Sequence, residues 1–156
     1  MRKIKILFVC HGNICRSPMA EFVLKDKVAK LGIEERFEIN SAATSREEIG
    51  NPVHYGTRRK LAPMGISTAG KTAVQVKASD YDYYDYLLIM DENNRRNLMR
   101  IIGSDPENKV HGLLDFSDRP RNIADPWYTG NFDVTYDDIV EGCDTFLEHL
   151  IKKGEI

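Results

Sequence analysis

Apolar residues in this chain fall into short continuous runs separated by stretches with helical spacing. The first run, residues 3–10 (KIKILFVC), is nearly unbroken from Ile4 to Val9, the pattern of a strand buried on both faces. Behind it, Ala20, Leu24, Val28 and Leu31 recur at three- and four-residue intervals. Ser17-Pro18 reads as an N-cap followed by proline in the first helical position, and Gly32 as the stop. Residues 37–42 predict a second strand and residues 52–64 a second helix ending at Gly65. Residues 85–90 (DYLLIM) predict a third strand, 91–102 a third helix and 109–113 a fourth strand. The clearest helix is 135–152, where Ile139, Cys143, Phe146, Leu147 and Leu150 form one stripe. Strand and helix alternate throughout. The predicted fold is therefore α/β, a three-layer arrangement with a parallel sheet and helices on both faces, within a single domain over residues 1–156.

Two segments resist this pattern. Residues 114–134 form a long irregular stretch broken by Pro120, Pro126 and Gly130, and loops of that length inside a compact domain tend to carry function. Residues 79–86 (SDYDYYDY) read as an acidic, tyrosine-rich surface leading into the third strand. Open parallel sheets bind ligands beyond the carboxyl ends of their strands, and Cys10 lies at such an end.

Composition narrows the function classes. Of 156 residues, 42% are hydrophobic and 29% charged, which supports a packed core. A net charge of -2 argues against a nucleic-acid footprint. No apolar run reaches membrane-spanning length. Three cysteines, an odd number, fit a reducing, cytoplasmic setting better than a disulfide scaffold, and the scattered histidines do not spell a zinc site.

The candidate chemistry lies in the turn after the first strand, VCHGNICRSPMAE. Gly12 lets the chain curl so that successive N–H groups point inward, and Asn13 tolerates left-handed backbone angles. Such a nest at a helix N-terminus holds an oxyanion, and Arg16 can clamp two of its oxygens. The same field stabilises a thiolate at Cys10, and Ser17 can donate to its sulfur. Cys10-x5-Arg16 thus describes a loop able to bind a phosphate monoester and attack its phosphorus. No Walker-type GxxxxGK[ST] is present. Cys143, on a helical stripe, reads as core.

The full turn resembles the phosphate loop of the low-molecular-weight protein tyrosine phosphatases, V-C-x-G-N-x-C-R-S-P-x-A-E, at every fixed position. INSAATS, NPVHYGTRRKLAPMGI, LLIMDENN and ADPWY resemble further segments of that family, so the likeness covers nearly the whole chain. The resemblance implies a sheet of four strands in the order 2-1-3-4. It implies Cys10 as nucleophile, Arg16 as phosphate clamp and Asp125 as general acid and base. It also implies a phosphate loop of His11, Gly12, Asn13, Ile14, Cys15 and Arg16, supported by Asn13, Ser17 and Ser41. From the residues alone, Asp125 could not be chosen over Asp115 or Asp118. The implied substrate is a phosphotyrosine protein or aryl phosphate, with no metal, no cofactor and no nucleic-acid or membrane partner. A monomer is expected, with weak dimerisation through surface tyrosines as the family's variant. Trp127 and Tyr128 would wall a deep slot, with His11, Ile14 and Glu47 on the rim. Related arginine phosphatases tend to carry threonine at the Ile14 position. Glu47 stands where many relatives have an aromatic residue, and Lys71 where a histidine is common. Cys15 is a candidate for a reversible disulfide with Cys10. Arsenate reductase shares the loop but needs further redox cysteines, and residues 81–123 hold none. A non-catalytic phosphate-binding module would lack Cys10, Arg16 or the acid.

Overall fold

A computed structural model describes residues 2–156. Four strands, β1 (Ile4–Cys10), β2 (Phe37–Ala43), β3 (Tyr86–Ile89) and β4 (Val110–Gly112), form one parallel sheet in the order β2-β1-β3-β4. Around it lie α1 (Arg16–Lys30), α2 (Tyr55–Leu61), α3 (Asp80–Tyr83), α4 (Glu92–Ile102), α5 (Pro126–Thr129) and α6 (Phe132–Lys152). β1 is central, and its apolar run is continuous because its two faces meet two separate cores. Ile4, Ile6 and Phe8 pack with Met19, Val23 and Leu24 of α1 and with Ile139, Phe146 and Leu150 of α6. Leu7 and Val9 pack on the other face with Leu87, Ile89, Leu98 and Val110. Alternate side chains of a strand point to opposite faces, so one strand seeds both layers.

The elements depart from the sequence pattern at several ends. α1 begins at Arg16, two residues earlier than Ser17-Pro18 suggests, and Cys15 occupies the cap position without a side-chain cap bond. The Ser17 hydroxyl is engaged instead with Cys10 Sγ at 2.9 Å, so a site contact overrides the capping signal. The helix does end as expected, at Gly32 with φ 72°. The second helix is shorter than 52–64: α2 covers Tyr55–Leu61, and Ala62–Met64 is a 3-10 turn, where Pro63 cannot continue the α-helical bonding. The 114–134 stretch contains the four-residue helix α5 and the first turn of α6. The tyrosine-rich run is less of a surface than its sequence suggests. Tyr81, Tyr84 and Tyr86 are buried, with Tyr81 donating to Asp105 and Tyr86 to Glu155, and only Tyr83 is exposed.

The Cys10 end of the sheet is braced by a close contact between α2 and α6. A Cβ on Gly56 would overlap the Phe132 ring, and that ring stacks on His54 at 5.4 Å. Gly56→Ala is therefore expected to destabilise the fold by roughly 1–3 kcal/mol through overpacking, read as a lower denaturation midpoint. A stability within about 0.5 kcal/mol of the parent, the range of an ordinary surface substitution, would show that α2 and α6 part easily.

Candidate active site

β1 and β2 run side by side in register to the pair Cys10–Ala43, so the chain leaves the sheet at Cys10 directly beneath the start of α1. The turn between them closes over one cleft of about 110 Å³. Its walls are Cys10, His11, Gly12, Ile14, Cys15, Arg16, Glu47, Glu48, Asp125, Trp127 and Tyr128. Residues more than a hundred positions apart in sequence thus share one cavity. Of the residues singled out in the sequence, Asn13, Ser17 and Ser41 put their side chains behind the loop, all buried.

The loop is held from outside by its carbonyls. Cys10 O accepts from Thr44 N, His11 O from Ser45 N, Ile14 O from His54 N, and Cys15 O from Met19 N and Thr57 Oγ1. Asn13 sits at φ 58°, the left-handed region its short amide tolerates. Its side chain donates to Ser17 Oγ (2.8 Å) and Ser41 Oγ (2.9 Å) and accepts from Val74 N (3.2 Å). Since Ser17 Oγ already accepts from Asn13, its one proton is free to donate to Cys10 Sγ. The backbone N–H of Asn13 donates to the same sulfur at 3.3 Å.

The network continues deeper than the sequence indicates. Ser41 Oγ donates to Glu21 Oε1 at 2.5 Å, and Lys25 Nζ lies 2.6 Å from Glu21 Oε2. Lys71 donates to Ser41 O at 2.8 Å and stands 3.7 Å from Glu21. A buried carboxylate needs such partners. Burial lowers the Lys71 amine below its ordinary value, with Lys25 acting the same way and Glu21 opposing both. Glu21 reads in sequence as a favourable first-turn carboxylate; its actual place is the hub behind the loop.

Arg16 is 2% exposed. Its Nη1 donates to Asp91 Oδ2 (2.7 Å) and to Ile123 O (2.8 Å), while Nη2 lies 3.4 Å from Asp125 Oδ2. Burial works against the guanidinium charge, but Cys10, Asp91 and Asp125 outweigh it and raise the group above its usual range. In the sequence Asp91 marks only the start of a helix. It caps α4 through Oδ1, which accepts from Asn94 N at 2.8 Å, and so presents its other oxygen to Arg16.

Asp125 likewise caps α5, Oδ1 accepting from Trp127 N at 3.0 Å, which leaves Oδ2 toward the cleft. The segment carrying it is tied to the body. Ile123 N donates to Met90 O, Thr135 Oγ1 to Ala124 O, and Arg121 grips Asp138 and Glu141 of α6. Arg121 and Ser117 hold the Glu141 carboxyl down at about 2. Asp115 is occupied elsewhere, accepting from Gly112 N, and Asp118 is exposed. Cys10, Cys15 and Cys143 are free thiols. Burial chiefly, aided by Cys10 and Asp125, pushes the Cys15 thiol up to about 12. Among the described residues, no helix is long and apolar enough to cross a membrane.

A parallel sheet with a Cys-x5-Arg loop at the end of its central strand, faced by an aspartate on a remote segment, fits the protein phosphatases as a class. The sequence profile of one family, described as low molecular weight phosphotyrosine protein phosphatase, matches residues 5–155. The chain is 39% identical over 155 residues to the low molecular weight protein-tyrosine-phosphatase YfkJ of Bacillus subtilis, covering 98% of this chain and 99% of the relative. It is 31% identical over 154 residues to PtpA of Staphylococcus aureus, covering 98% and 97%. The crystal structure of YfkJ superposes with a TM-score of 0.94, covering 98% of each chain. SP-PTP, the low molecular weight phosphatase of Streptococcus pyogenes, superposes with a TM-score of 0.83 at 38% identity, covering 94% and 93%. The chain belongs to the low-molecular-weight protein tyrosine phosphatase family, and the expectation drawn from its loop holds.

Proposed function

We propose that this enzyme hydrolyses phosphotyrosine and aryl phosphate monoesters in two steps through a cysteinyl-phosphate. The observation that carries the proposal is the placement of Cys10, Arg16 and Asp125 on one cleft, with Asp125 Oδ2 3.4 Å from the guanidinium. In the first step Cys10 Sγ attacks phosphorus, the S–P bond forms and the P–O bond to the aryl group breaks. Asp125 gives its proton to the departing phenolate oxygen. In the second, Asp125 takes a proton from water as that water attacks phosphorus, the S–P bond breaks, and inorganic phosphate leaves. Arg16 and the loop amides neutralise the phosphoryl oxygens throughout. The outward-tied carbonyls support this, because they leave the amide edge of the loop for an anion. Ser17 and the Asn13 amide are placed to stabilise Cys10 when it departs as thiolate. His11, Ile14, Glu47, Trp127 and Tyr128 form the substrate rim. A single domain, monomeric and acting on cytoplasmic phosphoproteins, completes the reading.

Cys15 as a redox partner belongs to the same proposal. With its thiol held up to about 12, Cys15 is protonated at neutral pH, so any disulfide would form on attack at an already oxidised Cys10. Arsenate reduction is the weaker reading: Cys143 lies in the core with α6, and the cleft is lined by two cysteines only.

The test is hydrolysis of aryl phosphates in the presence of a chelator. Asp125→Asn is expected to lower kcat by about 10²-fold for phenyl phosphate and much less for p-nitrophenyl phosphate, whose leaving group needs no proton. No turnover by the parent enzyme would reject the phosphatase reading; equal losses for both substrates would move the acid to another residue.

A further inference from the structure

Acidic side chains stand at the cleft mouth and an arginine lies farther out along a neighbouring groove; neither charge is used by the chemistry above. On one side stand Glu47 and Glu48. Glu47 is largely exposed and meets His11 Nε2 at 2.8 Å. Glu48 leans over the phosphate loop, its Cγ 3.5 Å from where a Cβ on Gly12 would lie, and its carboxylate accepts from the neutral amide of Asn51. No lysine or arginine lies within ion-pair distance of either carboxylate among the described residues. On the other side, Trp127 touches His54 edge-on at 5.6 Å, and Tyr55 follows. Beyond them a groove of about 740 Å³ runs between α2 and the α5–α6 turn, lined by residues including Tyr55, Arg59, Lys60 and Phe132. Arg59 lies over the Tyr55 ring at 5.5 Å and donates to its hydroxyl at 3.2 Å. Lys60 is neutralised by Asp133 at 2.7 Å, whereas Arg59 has no carboxylate partner among the described residues. Tyr55, Trp127 and Tyr128 are 58%, 57% and 81% exposed, a continuous aromatic lip joining cleft to groove.

We propose that this rim reads the charges flanking the phosphotyrosine. It takes a phosphopeptide with a cationic side chain against Glu47 and Glu48 and an anionic one against Arg59. This rests on the phosphotyrosine reading of the cleft and names its substrate class. A chain threaded over the cleft must pass one wall before the phosphotyrosine and the other after it. Peptides of identical composition but reversed flanking charge then bind differently, although their net charge is the same. At low salt the two orders should differ by roughly 5–20-fold in kcat/KM, and the difference should shrink as salt screens the rim.

The experiment uses two phosphotyrosine peptides, one with lysine before and glutamate after the phosphotyrosine, the other with the two exchanged. The expected result is a clear preference for one order, whose sense gives the direction in which the peptide lies. The double variant Glu47→Gln, Glu48→Gln should bring the ratio to within about twofold of unity, and Arg59→Gln should reduce it partway. A parent ratio within twofold of unity overturns the proposal, as does a ratio unmoved by both variants. Hydrolysis of p-nitrophenyl phosphate by the parent, run alongside, separates the two readings. If it fails, the phosphatase reading falls; if it proceeds and the peptide ratio is flat, only the charge-reading rim falls.

Discussion

Cys10→Ser is expected to leave a folded protein whose turnover of aryl phosphates drops by at least about 10⁴-fold, to the limit of detection. The replacement keeps the branching of the side chain, only slightly smaller, together with the carbonyl ties that hold the loop and the Asn13–Ser17–Ser41 network. It removes the sulfur. A serine hydroxyl at this position has no general base beside it: Ser17 is a donor there, and the nearest carboxylate chemistry is assigned to the leaving group. The anion site itself survives, so inorganic phosphate should still bind within severalfold of the parent, measured by calorimetric titration. Turnover that persists in the serine variant would assign attack to water instead of the thiol. Loss of phosphate binding along with turnover would mean that the sulfur shapes the loop as well as reacting.

Arg16→Lys should cost roughly 10²–10³-fold in kcat, even though the charge is kept. In the proposed reaction Arg16 has two tasks for one planar group. Nη1 is committed to Asp91 and to the carbonyl of Ile123, two residues before the proposed acid. Nη2 stands by Asp125. A lysine can supply one point charge but cannot hold Asp91, a backbone oxygen and a phosphoryl group in fixed directions. The same substitution leaves a buried carbonyl or carboxylate oxygen short of a donor, so a loss of stability of roughly 1–3 kcal/mol should accompany the kinetic defect. Thermal denaturation and steady-state kinetics on one preparation check both. A variant slow but fully stable would show that Arg16 holds the phosphate without bracing the acid segment. One unstable but fast would reverse that assignment.

Most of the fold is legible in the sequence because β1 and α6 have strong local signals. The run Ile4–Val9 has no polar face, and the stripe on α6 is regular. The cysteine, the arginine and the glycine of the loop are legible for a related reason: they lie together in one strand-to-helix turn. What stays hidden is long-range. Asp91 meets Arg16 across 75 positions, Lys71 meets Ser41 across 30, and Ser41 meets Glu21 across 20. Each looks locally like something else: a helix cap, a surface lysine, a first-turn carboxylate. Ser17 errs the other way, since its local signal is a cap and its actual partner is a sulfur. Asp125 needed the family likeness, because Asp115 and Asp118 share its irregular stretch. Only the folded chain shows that one is bonded to Gly112 and the other exposed.

The chain contains one tryptophan, and it is Trp127, half exposed at the lip of the cleft and edge-on to His54. The molecule therefore carries a single built-in optical reporter at the place where substrate enters. The seven tyrosines are silent when excitation is selective for the indole, so a change on adding an anion or a phosphopeptide then reports the mouth of the cleft. Stopped-flow fluorescence on the unlabelled enzyme can time the arrival of a ligand separately from the chemistry that follows.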